Sequence, residues 1–132
     1  MKIHSFVFGG LLAVALASAG GAVFAATEMP FTQQNFAEAQ KAGKPILVDV
    51  WASWCPTCKA QAPTLSSIMA DPANKDLTVL KVDFDTQKDV VKFFDVRMQS
   101  TLIAFHGNTE KARSTGDTDP ASIKALVGKA SQ

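Results

Sequence analysis

The stretch DVWASWCPTCK, residues 49–59, decides how the rest of the chain is interpreted. It overlaps a continuous apolar run, residues 46–51, whose length and β-branched content predict a central, buried strand. A short turn follows, and Pro56 suits the first position of a helix, so a helix is expected to begin at or near Cys55. The chain's two cysteines are therefore expected where a buried strand passes into a helix.

Strands and helices alternate outward from this stretch. Helices are predicted over residues 32–42, from Cys55 to about Met69, over 87–94 and from Asp119 onward; further strands are predicted over 77–83, 101–105 and 110–115. This order predicts an α/β fold with a mixed central sheet flanked by helices. The large aromatic residues expected in its core are Trp51, Phe84, Phe93, Phe94 and Phe105.

Residues 1–25 have the pattern of a cleaved secretory signal peptide. A short basic start is followed by an apolar run, residues 6–19, and by small residues suited to cleavage after Ala25. The alternative is a retained membrane anchor over residues 6–26. Cleavage would leave a single domain, residues 26–132, which is expected to be soluble and periplasmic or otherwise extracytoplasmic.

Composition excludes several other classes of protein. Removal of Lys2 with the signal peptide reduces Lys+Arg from 13 to 12, equal to the 12 acidic residues, and a neutral domain argues against nucleic-acid binding. A structural zinc site needs about four ligands, which two cysteines and His106 do not supply, so no metal is predicted. No additional segment for dimerisation is evident, so a monomer is expected.

The spacing of Cys55 and Cys58 favours redox chemistry. A disulfide between them closes a very short loop and stabilises the fold little, and haem attachment would need histidine where Lys59 stands. At a helix start, unsatisfied backbone N–H groups favour negative charge, so a nucleophilic Cys55 thiolate would be stabilised. Cys58 is expected to be more deeply buried and to resolve the mixed disulfide. The redox-active disulfide is the only cofactor predicted.

Asp49 is the second candidate site residue, because an acid within an apolar strand is costly unless it is paired or neutral. Burial should raise its pKa, which would let it exchange a proton with Cys58. Lys81, on the neighbouring predicted strand, is the candidate partner. The alternative is that Asp49 faces solvent at a sheet edge.

Several segments together closely resemble the thioredoxin family. They are residues 49–59 with Pro63, the strand containing Lys81, the segment before and through residues 101–105, and Gly116. The resemblance covers nearly the whole chain after residue 25. It implies a thioredoxin fold, a Cys55 nucleophile, a resolving Cys58 and proton transfer assisted by Asp49. It also implies a substrate-facing surface, which comprises Trp54, Pro56, Thr57, Gln99, Ser100, Thr101 and Gly116.

Two positions depart from the family pattern. The family usually has a cis-proline just before the threonine of the third core strand, whereas here Ser100 precedes Thr101. A non-proline cis bond costs about 3 kcal/mol, so the Gln99–Ser100 bond is expected to be trans, or cis under strain. The Ser100 hydroxyl is also available to hydrogen-bond to a thiolate. Pro56-Thr57 replaces the Gly-Pro of thioredoxin. This dipeptide tunes the redox potential, so the resemblance alone does not assign thioredoxin's reducing strength to this pair.

Three functions follow from these features. The first is an exported enzyme that reduces oxidised protein substrates and receives electrons from a membrane thiol–disulfide carrier. The motif with Asp49 is similar to that of reducing family members, including the C-terminal domain of the membrane reductase DsbD. The second is an oxidising or isomerising disulfide catalyst. The third is a metal or iron–sulfur binding module, because thiolates are soft ligands and Ser100 leaves space beside them.

Overall fold

The computed structural model describes Gly20 and residues 25–132. Apart from Gly20 and Ala25, the predicted signal peptide lies outside the described residues, and its cleavage stays a prediction. Within the described part of the chain, every helix is too short or too polar to cross a membrane.

Strands and helices alternate along this part of the chain. The strands are β1 (Thr27–Pro30), β2 (Pro45–Trp51), β3 (Thr78–Asp83), β4 (Thr101–His106) and β5 (Thr109–Thr115). The helices are α1 (Gln33–Lys41), α2 (Pro56–Ala70), α3 (Lys88–Phe93) and α4 (Pro120–Gly128), with short 3-10 turns at Pro72–Asn74 and Lys129–Ser131. The predicted helix starts are confirmed by side-chain caps, since Thr32 accepts from the Asn35 backbone N–H and Asp119 from that of Ser122.

β2 is the centre of a five-stranded mixed sheet of order β1-β3-β2-β4-β5. β1 and β2 both pair with β3 in parallel. β4 is antiparallel to β2, and β5 is antiparallel to β4. The predicted α/β architecture, a mixed sheet flanked by helices, is therefore confirmed.

The edge strand β1 is not predicted by the sequence pattern. Its four residues, Thr27–Pro30, are mostly exposed and include an acid and a proline, so they lack the β-branched alternation of a typical strand. Proline is compatible with an edge strand because one side of that strand has no hydrogen-bonding neighbour. β1 extends the sheet beyond β3 and places Glu28 near the candidate site.

Alternation along β2 supplies both layers of the core. Ile46, Val48 and Val50 belong to a cluster with α1 and α3 residues, whereas Leu47 packs in a second cluster with α2 and α4. Because successive strand side chains point to opposite faces, Asp49 shares the face of Leu47. Asp49 therefore lies under the layer that contains the cysteine helix.

The predicted aromatic core is confirmed in part. Phe94 and Phe105 are buried, and Trp51 and Phe84 are partly buried. The prediction that Phe93 packs inward is wrong, because 59% of its surface is exposed. Phe93 ends α3, and a turn of about 100° per residue cannot direct two consecutive side chains to the same face. Phe94 takes the inward position.

Candidate active site

The cysteine pair lies where β2 passes into α2. After β2 ends at Trp51, the Cys55 backbone N–H donates to the Ala52 carbonyl at 3.2 Å, which closes the turn. Cys55 is the N-cap of α2, and its Sγ accepts a hydrogen bond from the Cys58 backbone N–H at 3.0 Å. Pro56 occupies the first helical position, as predicted. Cys55 and Cys58 form a disulfide.

The prediction that Cys58 is the more buried cysteine is wrong for this disulfide form. Cys55 has no exposed surface, whereas Cys58 is half-buried. The turn after β2 and the start of α2 enclose Cys55, and its sulfur faces the helix N–H groups. Cys58, one turn further along, borders a surface cleft.

This cleft runs between α2 and the sheet and has a volume of about 460 Å³. One wall is formed by α2 and the other by β1, β2 and β3. Cys58 and Lys81 both line it, together with Glu28, Trp51, Lys59 and Ser66. Protons can therefore reach the region of Cys58 without crossing the apolar core.

Asp49 and Lys81 form an ion pair across β2 and β3. They are register partners, and Lys81 Nζ lies 3.1 Å from Asp49 Oδ2. Asp49 is only 3% exposed, so the alternative of a solvent-facing acid does not hold. Burial raises the pKa of Asp49; Lys81 opposes this rise, and the nearby charge of Glu28 adds to it. The carboxyl is thus a buried group with increased affinity for a proton, as predicted.

Trp54 is held on the surface beside the cysteines. It is 55% exposed, and its Nε1 donates to Asp85 Oδ2 at 2.7 Å. The Asp85 backbone N–H in turn donates to Asp83 Oδ1 at the end of β3. An exposed indole with a fixed orientation suits contact with a protein partner.

The loop before β4 has an unusual backbone conformation. The Gln99–Ser100 bond is trans, and Ser100 has a φ of 59°, in the left-handed region, which costs about 1–2 kcal/mol for a residue with a side chain. The Ser100 hydroxyl donates to the Gln99 carbonyl and not, in this disulfide form, to a sulfur. The Gly116 N–H donates to the Ser100 carbonyl at 3.0 Å, so these two predicted surface residues are in direct contact.

The remaining predicted residues lie around this loop and at the helix start. Thr101 is buried, and its hydroxyl donates to the Met98 carbonyl and contacts the Thr115 hydroxyl. Gln99 and Thr57 are half-buried, and Pro56 is exposed. Their substrate-binding roles stay predictions. Within residues 25–132, no group of three or more His, Cys, Asp or Glu side chains could hold a metal ion.

Sequence reasoning missed three site residues, namely Glu28, Gln61 and Asp85. Glu28 and Asp85 gave no local signal, because one lies on an unpredicted strand and the other contacts a residue 31 positions away. Gln61 did give a local sequence signal. It follows Cys58 by three positions on a helix, so it shares that residue's face, where a polar side chain is costly without a partner.

Comparisons with known proteins agree with this geometry. The family model described as Thioredoxin matches residues 27–129. The thioredoxin of Mycobacterium bovis is 39% identical over 93 residues, which cover 70% of this chain and 79% of that protein. The bifunctional thioredoxin reductase/thioredoxin of Mycobacterium leprae is 39% identical over 88 residues, or 67% of this chain, but these span only 19% of that longer protein.

A solved structure is also similar over most of the described chain. Trxlp from Edwardsiella tarda EIB202 is 44% identical, with a TM-score of 0.74, and the match covers 76% of this chain and 98% of that one. The similarity therefore includes both the sheet and the cysteine helix.

Replacing Asp49 with asparagine is expected to raise the free energy of unfolding at neutral pH. The pKa of Asp49 lies above its ordinary value of 3.8 when folded, so the folded state binds the proton more tightly than the unfolded chain. The free energy of unfolding therefore falls as pH rises from about 3.8 through the folded-state pKa of Asp49. Above that pKa the buried carboxylate is fully ionised and destabilises the fold by its full amount. Asparagine removes this cost. Urea denaturation at a series of pH values measures the effect.

Asp76→Asn is the matched control, because the Asp76 side chain is 71% exposed and pairs only at the surface with Lys75. The control should match the original chain at every pH. A stability gain for Asp49→Asn that did not shrink towards acid pH, or a loss at neutral pH, would contradict the assigned cause.

Proposed function

Because the chain belongs to the thioredoxin family, we propose that it acts outside the cytoplasm as a reductant of oxidised protein substrates, recharged by a membrane thiol–disulfide carrier. Its fold is the thioredoxin fold, and its activity is that of a thiol–disulfide oxidoreductase. Members of this family act on disulfides of protein substrates. The observation that carries the proposal is the Cys55–Cys58 disulfide at the start of α2.

In the reduced enzyme, the Cys55 thiolate attacks one sulfur of a substrate disulfide and displaces the other as a thiolate. The Cys58 N–H, which contacts Cys55 Sγ at 3.0 Å in the disulfide form, stabilises the nucleophile's negative charge. Cys58 then attacks Cys55 Sγ in the mixed disulfide, which releases the second substrate thiolate. Two electrons pass to the substrate, and the enzyme returns to its disulfide.

Cys58 has to lose a proton before it can attack, and Asp49 is the proposed acceptor. Asp49 pairs with Lys81, and both Lys81 and Cys58 border the same cleft. The raised pKa of the carboxyl brings its proton affinity closer to that of a thiol, which favours transfer between them. The thiol proton then leaves through the cleft.

Export and the direction of electron flow rest on separate observations. Residues 1–25 have the signal-peptide pattern, and one cysteine pair on a small domain suits a shuttle between two partners. The similarity of residues 49–59, including Asp49, to the motif of reducing family members favours the reducing direction. Pro56-Thr57 between the cysteines leaves the alternative open, an oxidising or isomerising catalyst, because this dipeptide tunes the redox potential.

Cys55→Ser is expected to abolish insulin reduction, because serine cannot form the mixed disulfide. Turbidity of the released insulin B chain, with dithiothreitol as the terminal reductant, measures the rate. Cys58→Ser is the informative partner variant, since it retains the nucleophile but cannot resolve. It should lose turnover while accumulating a covalent complex with insulin through Cys55. Full activity of Cys55→Ser would rule out the assigned nucleophile.

Expression of the full chain in a bacterium with two membranes tests export. The expected product is released by osmotic shock and begins at Ala26, as measured by intact mass. The control replaces Leu11 and Leu12 with arginine, which breaks the apolar run and should leave uncleaved protein in the cytoplasm. An original chain that kept Met1, or that stayed in the membrane fraction, would contradict cleavage.

A further inference from the structure

Gln61 is a buried polar residue that connects three parts of the active-site region. It lies on α2, three residues after Cys58, and is 1% exposed. Its Nε2 donates to the Asp117 carbonyl at 2.8 Å and to the Ser100 carbonyl at 3.3 Å. These carbonyls belong to two different loops, one before β4 and one after β5. One side chain thus joins both loops to the cysteine helix.

Chemistry fixes the orientation of the Gln61 amide. Both neighbours are carbonyl oxygens, which only accept hydrogen bonds, so the NH2 group has to face them. The Oε1 atom is consequently left buried without a hydrogen-bond partner, which is unfavourable. An apolar side chain of similar volume would avoid that cost but would lose both N–H contacts.

The Ser100 carbonyl is the point at which these contacts converge. It accepts hydrogen bonds from the Gly116 N–H and from Gln61 Nε2. Ser100 also has a φ of 59°, a conformation that persists only where surrounding contacts impose it. Two donors hold it in place, one on the loop after β5 and one on α2.

We propose that Gln61 is a positioning residue that clamps the Ser100 loop and the Gly116–Asp117 loop onto the cysteine helix, thereby fixing the substrate-facing surface relative to the disulfide. This inference rests on the proposed function, because the resemblance to the thioredoxin family implies that Ser100 and Gly116 face the substrate. Gln61 touches no reacting atom. It sets where a substrate segment lies with respect to Cys55.

Gln61→Met and Gln61→Glu test the clamp. Methionine has a similar volume without N–H groups, and glutamate has the same shape but presents an oxygen to each carbonyl. Despite their opposite polarity, both variants should raise the KM for insulin about tenfold while kcat stays within about twofold. Both should also speed hydrogen exchange of the Gly116 amide about tenfold in the oxidised protein.

Asn74→Leu is the matched control. Asn74 Nδ2 donates to the Ile68 carbonyl at 2.9 Å, so this variant removes a similar amide contact at the opposite end of α2. It should lower the urea midpoint but leave the KM and the Gly116 exchange rate unchanged. A purely structural Gln61 would behave like this control.

The two measurements separate failure of the clamp from failure of the proposed function. Unchanged Gly116 exchange in both Gln61 variants would overturn the clamp, whatever the activity. Faster exchange with an unchanged KM, or a loss confined to kcat, would overturn its role in substrate positioning. If the original chain failed to reduce insulin while the variants showed faster exchange, the clamp would stand and the proposed function would fall.

Discussion

The active site depends on one hydrogen bond, from the Cys58 backbone N–H to Cys55 Sγ at 3.0 Å. It exists because β2, a strand paired on both sides, passes through one short turn into a helix whose first N–H groups have no partner within the helix. Cys55 caps that helix, so the same N–H that faces its sulfur in the disulfide faces a thiolate after reduction. The sheet therefore fixes where the reactive sulfur lies, and the helix supplies the favourable field.

Asp49 and Lys81, which are proposed to assist the resolving step, form an ion pair beneath α2. A carboxyl on the central strand costs stability, and its only ion-pair partner among the described residues is Lys81 on β3. The strand alternation that fills the core on one face directs Asp49 towards α2 on the other. The cleft beside α2 then gives Lys81 and Cys58 a shared contact with solvent. The proposed proton transfer from Cys58 to Asp49 would use this cleft, which Cys58 and Lys81, the ion-pair partner of Asp49, both border.

Local patterns predicted the features that residues near in sequence determine. The apolar run of β2, Pro56 at the helix start and the caps Thr32 and Asp119 each act within a few positions. The Asp49–Lys81 pair was predictable because both residues lie on predicted neighbouring strands. Distant contacts between helices and loops were not, such as those of Gln61 with Ser100 and Asp117, 39 and 56 positions away. The exposure of the two cysteines was predicted in the wrong order because it depends on the tertiary cleft beside Cys58. β1 was missed because its pairing with β3, and not its composition, makes it a strand.

The reducing role proposed for the Cys55–Cys58 couple depends on its reduction potential. Equilibration of the purified protein against dithiothreitol or glutathione, with a count of free thiols, gives its reduction potential. For a reductant we expect a two-electron couple at about −270 mV, a value typical of thioredoxin. A value of about −120 to −180 mV would contradict the reducing role and would place the protein with oxidising and isomerising catalysts.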